Sequence, residues 1–219
     1  MAMQTVMTVE PEIENWYRSK EFAYDWTSPN FSHWKHYLAP LRDHPLTILE
    51  IGSYEGRSIL FFLNFLPRAT AVCVDAWDAS VLETFLIKQM PELVVEYSLA
   101  EGRFDRNLAE FSGRVRKLKG FSGTLLVELG VKQERFDLIY VDGEHRRAGT
   151  YRDCVLSWPM LKPGGLMLLD DYGFDLGLPD ELKPKQGIDA FLNAFIGQFD
   201  EVYRAYQIVI RKRELTSIV

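Results

Sequence analysis

From about residue 46 onward, short apolar runs rich in β-branched residues alternate with longer stretches of helical spacing, and no other feature restricts the fold as strongly. Strands are predicted at 47–51, 71–75, 115–119, 137–142 and 166–170, and helices at 57–66, 79–90, 98–112, 122–129 and 147–158. Near-continuous apolar runs such as 138–141 are typical of strands buried on both faces of a parallel sheet. The alternation therefore predicts an α/β fold with a doubly wound sheet, right-handed crossovers and helices on both faces.

Two segments fall outside this alternation. Residues 11–40 carry eight aromatic side chains between Trp16 and Tyr37, which fit a cap over a cleft, a homodimer interface or a layer packed on the sheet. We therefore separate a helical, aromatic cap segment at 1–45 from the α/β domain at 46–219, within one compact unit. Residues 172–187 are rich in glycine, proline and charge, which predicts a surface loop. A helix at 187–198 and one or two strands at 201–211 complete the prediction.

Composition narrows the function classes. The 219 residues carry a formal net charge of -6, which gives no reason to expect nucleic-acid binding through phosphate neutralisation. Two basic clusters, 114–119 and 211–213, are interpreted as solvated strand ends. Cys73 and Cys154 lie in apolar surroundings and are predicted to be buried free thiols in a reducing compartment. Because neither a signal peptide nor a bilayer-spanning apolar run is visible, we expect a cytoplasmic protein without a membrane partner.

The loop after the first predicted strand has the pattern Glu50-x-Gly52-x-x-x-Gly56. In an open α/β sheet, ligands bind outside the carboxyl ends of the strands, and glycine lets the backbone turn sharply there. A dinucleotide-binding loop has three glycines as G-x-G-x-x-G, whereas this loop has two and carries Glu55, whose charge would repel a pyrophosphate. The pattern therefore disfavours a nicotinamide-dependent oxidoreductase and suits a cofactor with an ammonium group and a sulfonium.

Polar residues also follow the second and third predicted strands. Asp75 is placed to accept hydrogen bonds from ribose hydroxyls or to cap the following helix, for which Asp78 is a competing candidate. Gly120 and Ser122 are placed to flank an adenine ring, although Ser122 is equally suited to cap the next helix. These alternatives stay open at the level of sequence.

Carboxylates cluster at the ends of the fourth and fifth predicted strands. Asp142 and His145 follow one strand, and Asp170 and Asp171 lie at the end of its expected neighbour. Three carboxylates at adjacent strand ends repel one another unless a cation or a proton lies among them. Because oxygen ligands suit Mg²⁺, we predict a metal held by Asp142, Asp170 and Asp171. Alternatively, one or two of these residues cap helices or line the cofactor pocket without a metal.

Together these stretches resemble the class I S-adenosylmethionine (SAM)-dependent methyltransferases, nearest to the bacterial small-molecule O-methyltransferases of the macrocin and caffeoyl-CoA type. The resemblance covers about residues 46–200 and depends on three stretches, 48–58, 136–145 and 161–172. It implies a Rossmann-like, seven-stranded, mostly parallel sheet with an antiparallel last strand, and it makes 46–219 the SAM-dependent methyltransferase domain. Cofactor contacts are expected from Glu50, Gly52, Ser53, Tyr54, Gly56, Ser58, Asp75, Gly120, Ser122 and Asp142.

In metal-dependent members of this group, residues matching Asp142, Asp170 and Asp171 hold Mg²⁺, and the metal binds the substrate oxygen. The general base there is often a lysine at the position of His145. A histidine fits the role because its ordinary pKa lies near neutrality. We therefore predict methyl transfer from SAM to a hydroxyl of a small molecule, with Mg²⁺ and with His145 and Asp142 as catalytic residues. Metal-independent O- or N-methylation and a non-catalytic SAM-binding role are the alternatives.

Overall fold

Seven strands in the described part of the chain form one sheet, in the order β3-β2-β1-β4-β5-β7-β6. The computed structural model describes residues 10–82, 87–88, 90–175, 177 and 179–214. The strands are β1 (Thr47–Ile51), β2 (Thr70–Asp75), β3 (Val115–Lys119), β4 (Phe136–Val141), β5 (Leu161–Leu169), β6 (Phe199–Arg204) and β7 (Ile208–Lys212). The first five are parallel, and β7 runs antiparallel to both of its neighbours. The predicted fold class, including the antiparallel last strand, is confirmed.

Seven α-helices of the described residues cover the two faces of this sheet. They are α1 (Pro11–Tyr17), α2 (Phe31–Leu38), α3 (Arg57–Phe65), α4 (Leu93–Asn107), α5 (Ser122–Val131), α6 (Arg147–Ser157) and α7 (Pro184–Ala194). Helices α1 to α4 bury their apolar side chains on one face. Helices α5 to α7 cover the other face. Side chains of successive strand residues point to opposite faces, so β1 contributes Ile48 to the first core and Leu49 to the second.

Several predicted boundaries differ from the structure. Helix α4 begins at Leu93 and ends at Asn107 instead of spanning 98–112. Strand β5 begins at Leu161 because that residue still pairs with Phe136 across a register shift. Helix α7 begins at Pro184, so the predicted loop at 172–187 is shorter. Where a helix was predicted at 79–90, the structure has a 3₁₀ turn at Ala79–Val81 that ends at an extended Leu82, and residues 83–86 and 89 lie outside the described residues.

The aromatic N-terminal segment divides between core packing and surface. Trp34 is fully buried against Phe62 and Tyr140, and its indole N–H donates to Gln207 at 2.8 Å. Trp26, in contrast, is 56% exposed. Core packing therefore holds for α2 and for Ile13 of α1, whereas the stretch around Trp26 lies nearer to solvent. The boundary between 45 and 46 stays a prediction.

Other predictions from composition have different outcomes. Cys73 and Cys154 are buried free thiols, as predicted. In the basic clusters, Lys117 and Arg213 pair with Asp105 and Asp200. Among the residues that the structure describes, no helix combines the length and apolar character needed to cross a bilayer.

Candidate active site

Three loops begin at the same edge of the sheet, and backbone hydrogen bonds between neighbouring strands fix the first residue of each loop. The first residue beyond each strand still belongs to the hydrogen-bond ladder: Gly52 N donates to Val74 O at 2.8 Å, Asp142 N to Ile51 O at 2.8 Å, and Asp170 N to Val141 O at 3.0 Å. The sheet, and not the loop conformation, therefore places the predicted residues at the ends of β1, β4 and β5. This edge is where ligands bind in open α/β sheets.

Gly52 joins the β1 loop directly to the end of β4. Its φ of +88° lies in the left-handed region, and a Cβ built there would lie 1.9 Å from the carbonyl oxygen of Asp142. Glycine is thus required because another backbone approaches, in addition to the sharp turn that the sequence analysis gave as its reason. The predicted cofactor loop and the predicted acidic site are consequently in direct contact.

Glu50 is a fully buried carboxyl group at the end of β1. The Ser58 hydroxyl donates to its Oε1 at 2.6 Å. Its Oε2 and the buried Ser53 Oγ have no hydrogen-bond partner among the described residues. Burial raises the pKa of Glu50 to about 7. Two buried polar atoms without partners fit a polar ligand group at this loop. Ser58, which was predicted to contact the cofactor, donates its hydroxyl proton to Glu50 instead.

Asp75, at the end of β2, connects two loops through its carboxylate. Oδ2 accepts from the backbone N–H of Tyr54 at 2.8 Å, and Oδ1 accepts from that of Trp77 at 2.7 Å. Asp75 therefore does not cap a helix; Asp78 caps the 3₁₀ turn instead. The Tyr97 hydroxyl lies 3.4 Å from Oδ1. A carboxylate oxygen can accept more than one hydrogen bond, and Oδ2 accepts from Tyr54, so ribose binding at Oδ2 of Asp75 stays a prediction.

Four aromatic rings form a row that leads from the surface to Asp75. Centroid distances are 4.6 Å for Tyr24–Trp26, 5.9 Å for Trp26–Tyr54 and 5.2 Å for Tyr54–Tyr97. Tyr54 occupies the left-handed region with φ of +43°, and this conformation directs its N–H to Asp75. We call these four residues the aromatic row. It connects the N-terminal segment to the predicted cofactor loop.

Two residues of the sequence analysis are engaged elsewhere. Ser122 is the first residue of α5, not its N-cap, and its hydroxyl donates to Asp153 at 2.8 Å. Gly120 lies before it, with its N–H bonded to the carbonyl of Asp75 at 2.8 Å. Glu55 is buried in an ion pair with Arg103 at 2.7 Å. Because this pair neutralises Glu55, its charge does not repel a ligand, and that step of the argument against a dinucleotide fails.

An acidic cluster lies at the ends of β4 and β5. Oxygens of Asp142 and Asp171 and a ring nitrogen of His145 lie within 4.8 Å of one another, close enough to hold one metal ion. His145 Nε2 is 3.0 Å from Asp171 Oδ2 and 3.5 Å from Asp142 Oδ1. Of the four residues predicted at these strand ends, Asp142, His145 and Asp171 lie together. His145, which was predicted as a base, thereby becomes a possible metal ligand as well.

Asp170, the fourth predicted residue, is connected to this cluster through Tyr140. The Tyr140 hydroxyl lies 3.2 Å from Asp142 Oδ2 and in hydrogen-bond contact with Asp170 Oδ2. Asp170 Oδ1 accepts from the N–H of Asp171 at 2.8 Å. A phenol has one proton, so it can donate to only one of two carboxylates. The second contact is therefore favourable only if a proton is shared or a cation is bound nearby.

The electrostatics of the cluster follow from this crowding. Burial and the charge of Asp170 raise the pKa of Asp142 well above its ordinary value. Burial opposes protonation of His145, but Asp171 and Asp142 outweigh it and raise the pKa of His145 well above the ordinary value. Burial also opposes ionisation of Asp171, yet His145 lowers the pKa of that carboxyl. This raised pKa favours the imidazolium form of His145, whose positive charge would offset the charges of Asp171 and Asp142.

Comparison with known proteins identifies the family. A family model described as a methyltransferase domain matches residues 49–172, from the third residue of β1 to beyond the end of β5, and this range includes every strand-end residue discussed above. The chain belongs to this methyltransferase domain family.

Individual relatives are more distant. The mycinamicin VI 2''-O-methyltransferase of Micromonospora griseorubida is 24% identical over 168 residues, which are 73% of this chain and 35% of that protein. The solved MycE methyltransferase of the mycinamycin pathway, in complex with Mg, SAH and mycinamycin VI, has a TM-score of 0.61 at 16% identity, over 95% of this chain and 56% of that one. An O-methyltransferase from Bacillus cereus in complex with SAH has a TM-score of 0.65 at 14% identity, over 96% and 94%. This chain thus spans about a third of the curated relative, and the structural matches establish the fold.

The site of this methyltransferase domain contains two residues that the sequence analysis missed. Tyr140 lies two positions before Asp142, so strand periodicity places both on one side, and this signal was available. Tyr206 comes from the turn between β6 and β7, and its hydroxyl donates to Asp171 Oδ1 at 2.6 Å. No local pattern connects Tyr206 with Asp171, because a hairpin formed far along the chain brings them together.

Proposed function

We propose that this chain is a SAM-dependent methyltransferase that transfers a methyl group to a hydroxyl oxygen of a small molecule, with a divalent cation. The observation that carries the proposal is the contact between the Glu50–Gly56 loop and the acidic cluster, which meet where Gly52 approaches the carbonyl of Asp142. A donor site and an acceptor site must adjoin for methyl transfer. This geometry supplies that adjacency without any further movement of the strands.

The donor side is formed by β1, β2 and their loops. Glu50 Oε2 and Ser53 Oγ are available to a polar group of the cofactor, since they lack partners among the described residues. Asp75 would accept from ribose hydroxyls, and Gly120 lies at the neighbouring loop where an adenine ring would fit. When bound, the sulfonium supplies an activated methyl group. The residues of the chain then contribute alignment, which is worth roughly 7–11 kcal/mol in well-oriented reactions.

The acceptor side is the acidic cluster. Asp142 and Asp171 carry carboxylate oxygens close enough to hold one divalent cation, and Asp170 is the third carboxylate of this crowded group, linked to Asp142 through Tyr140. A bound cation would supply Lewis acidity and lower the pKa of an acceptor hydroxyl. The same cation would replace the charge of His145, whose neutral imidazole can then accept the hydroxyl proton. His145 would thus have two states, imidazolium without the cation and proton acceptor in the loaded site.

The relatives support the coarse class. Mycinamicin VI 2''-O-methyltransferase is an O-methyltransferase by name, and the related MycE structure contains Mg, SAH and mycinamycin VI. Because this chain covers only part of those proteins, we propose for its acceptor only the chemical class, a small molecule that carries a hydroxyl group. We further propose that the N-terminal segment at 1–45 contributes Trp26 to acceptor contacts. Its ring is exposed beside the cofactor loop.

The test is a calorimetric titration of the chain with S-adenosylhomocysteine, in Mg²⁺ and again in EDTA. We expect micromolar binding, and we expect Mg²⁺ alone to bind the wild type but not Asp142→Asn. Asp200→Asn is the matched control, because it removes an exposed carboxylate that pairs with Arg213. Absence of cofactor binding in both buffers would overturn the proposal.

Metal-independent methylation is the second candidate, and the His145–Asp171 contact at 3.0 Å favours it, since an imidazole oriented by a carboxylate can act as a base without metal once it has released its own proton. Full turnover of a panel of phenols and glycosides in EDTA, with activity lost in His145→Gln, would establish it in place of the metal-dependent reaction.

A further inference from the structure

The hairpin between β6 and β7 reaches back to the end of β5 and contacts three successive residues there. The Tyr206 hydroxyl donates to Asp171 Oδ1 at 2.6 Å. Arg204 Nη1 donates to the Tyr172 hydroxyl at 2.9 Å. The N–H of Gly173 donates to the carbonyl oxygen of Tyr206 at 2.9 Å. A hairpin outside the matched family region therefore supports the segment that carries the acidic cluster.

Asp171 needs such support because of its backbone. Its φ of +58° lies in the left-handed region, which non-glycine residues occupy at a cost of about 1 kcal/mol or more. Asp170 Oδ1 accepts from the N–H of Asp171, and this bond fixes the peptide from one side. The side chain is restrained separately, by Tyr206 on Oδ1 and by His145 on Oδ2. Each carboxylate oxygen thus has its own donor.

We propose that Tyr206 is a positioning residue of the active site: its hydroxyl holds the Asp171 carboxylate so that Oδ2 faces His145 and the cation site. The inference rests on the proposed function and deepens it. A carboxylate bonded at one oxygen cannot rotate freely about its last torsion, so the second oxygen keeps one direction. Partners of this kind around metal and catalytic groups commonly change affinity or activity by about 10–100-fold when they are lost.

Two variants separate positioning from simple support of the hairpin. Tyr206→Phe keeps the ring and the backbone carbonyl that accepts from Gly173, and removes only the hydroxyl. Because the Tyr206 side chain is 46% exposed, this change is expected to leave the fold intact. Arg204→Gln removes the contact with Tyr172 on the same segment and the ion pair with Glu201 within the hairpin, and among the described residues no carboxylate of the cluster bonds to Arg204. It is the matched control for a merely structural role.

The first readout needs no metal. The chain has four histidines, so the imidazole signals of ¹⁵N-labelled protein can be recorded individually, with His145→Gln assigning the signal of His145. We expect Tyr206→Phe to shift or lose the His145 N–H signal, and Arg204→Gln to leave it as in the wild type. An unchanged signal in Tyr206→Phe, or an equal change in both variants, would overturn the inference.

The second readout is calorimetry. In Tyr206→Phe we expect Mg²⁺ affinity to fall by about 10–100-fold, with S-adenosylhomocysteine affinity within about two-fold of the wild type. Arg204→Gln should match the wild type in both. Equal Mg²⁺ affinity in Tyr206→Phe and wild type would count against positioning. Failure of the wild type to bind S-adenosylhomocysteine would instead refute the proposed function, while the imidazole signal still decides the role of Tyr206.

Discussion

Replacing Glu50 by glutamine should stabilise the protein at high pH and weaken cofactor binding at the same time. Glu50 has no solvent exposure, and its Oε1 accepts from Ser58 at 2.6 Å. Glutamine has nearly the same shape and retains an oxygen for Ser58. The substitution therefore removes the ionisable proton and the charge while it leaves the packing almost unchanged.

The magnitude follows from the pKa. Burial raises the pKa of Glu50 from 4.5 to about 7. Between these values the folded protein holds a proton that the unfolded chain has released, so the free energy of unfolding falls as pH rises. Since one pKa unit corresponds to about 1.4 kcal/mol, the loss reaches about 3 kcal/mol at pH 8. Glu50→Gln has no proton to release, so its advantage over wild type should grow from near zero at pH 4.5 to about 3 kcal/mol.

The assay is urea denaturation of both proteins at pH 5, 6, 7 and 8, without cofactor. Glu128→Gln, which changes an exposed residue of α5, is the control and should follow the wild type at every pH. A difference between Glu50→Gln and wild type that stays constant across this range would refute the reasoning. Calorimetry with S-adenosylhomocysteine completes the test. We expect weaker binding to Glu50→Gln, since the ammonium group of the ligand no longer has a negatively charged carboxylate as its partner.

Three further predictions concern packing and the site. Gly52→Ala should destabilise the fold by several kcal/mol, since its Cβ would lie 1.9 Å from the carbonyl oxygen of Asp142. Gly130→Ala is the control: a Cβ built there meets nothing within 4 Å, so this change should be neutral or stabilising by up to about 1 kcal/mol. Thermal unfolding measures both, and similar melting temperatures for the two variants would contradict the clash. Trp34→Ala should lower the free energy of unfolding by about 3–5 kcal/mol, because the Trp34 ring is fully buried. Trp26 is 56% exposed, so Trp26→Ala should keep the wild-type melting curve but raise the KM for the acceptor. An unchanged KM would show that Trp26 is not part of the acceptor site. Asp142→Asn should abolish Mg²⁺-dependent turnover while cofactor affinity is retained, and undiminished turnover would exclude Asp142 as a metal ligand.

Local sequence patterns were sufficient for strands such as β1, β2 and β4, which are short, mostly apolar and followed by a turn, whereas the number of strands and the antiparallel last strand were implied by the family resemblance. Local patterns were insufficient where tertiary contacts determine a boundary. Helix α4 ends at Asn107, whose side chain donates to the carbonyls of Glu21 and Glu55, and no periodicity reveals such partners. Strand β5 continues through residues 163–165, whose proline and glycines are typical of a turn, because it pairs with the first residue of β4.

The same distinction applies to the candidate site. Asp142 and Asp170 could be placed from sequence because each directly follows a strand of the parallel sheet. What their side chains contact could not be predicted in the same way. Ser122 bonds to Asp153 on α6, and Tyr206 reaches Asp171 from a distant hairpin. Side-chain partners depend on distances between elements, which residue spacing along the chain does not contain.

This division has a consequence for how the site tolerates change. Gly52, Asp142 and Asp170 are held by the hydrogen-bond ladder of the sheet, so their positions are as rigid as the core. Substitutions that move their backbones must disturb strand pairing, and we expect loss of stability and activity together. Tyr206 and the exposed Trp26 lie on a hairpin and an N-terminal segment outside the parallel strands. We expect their side chains to change without unfolding the sheet, so under the proposed function the hairpin and the aromatic row are the parts where metal affinity and acceptor choice should be adjustable.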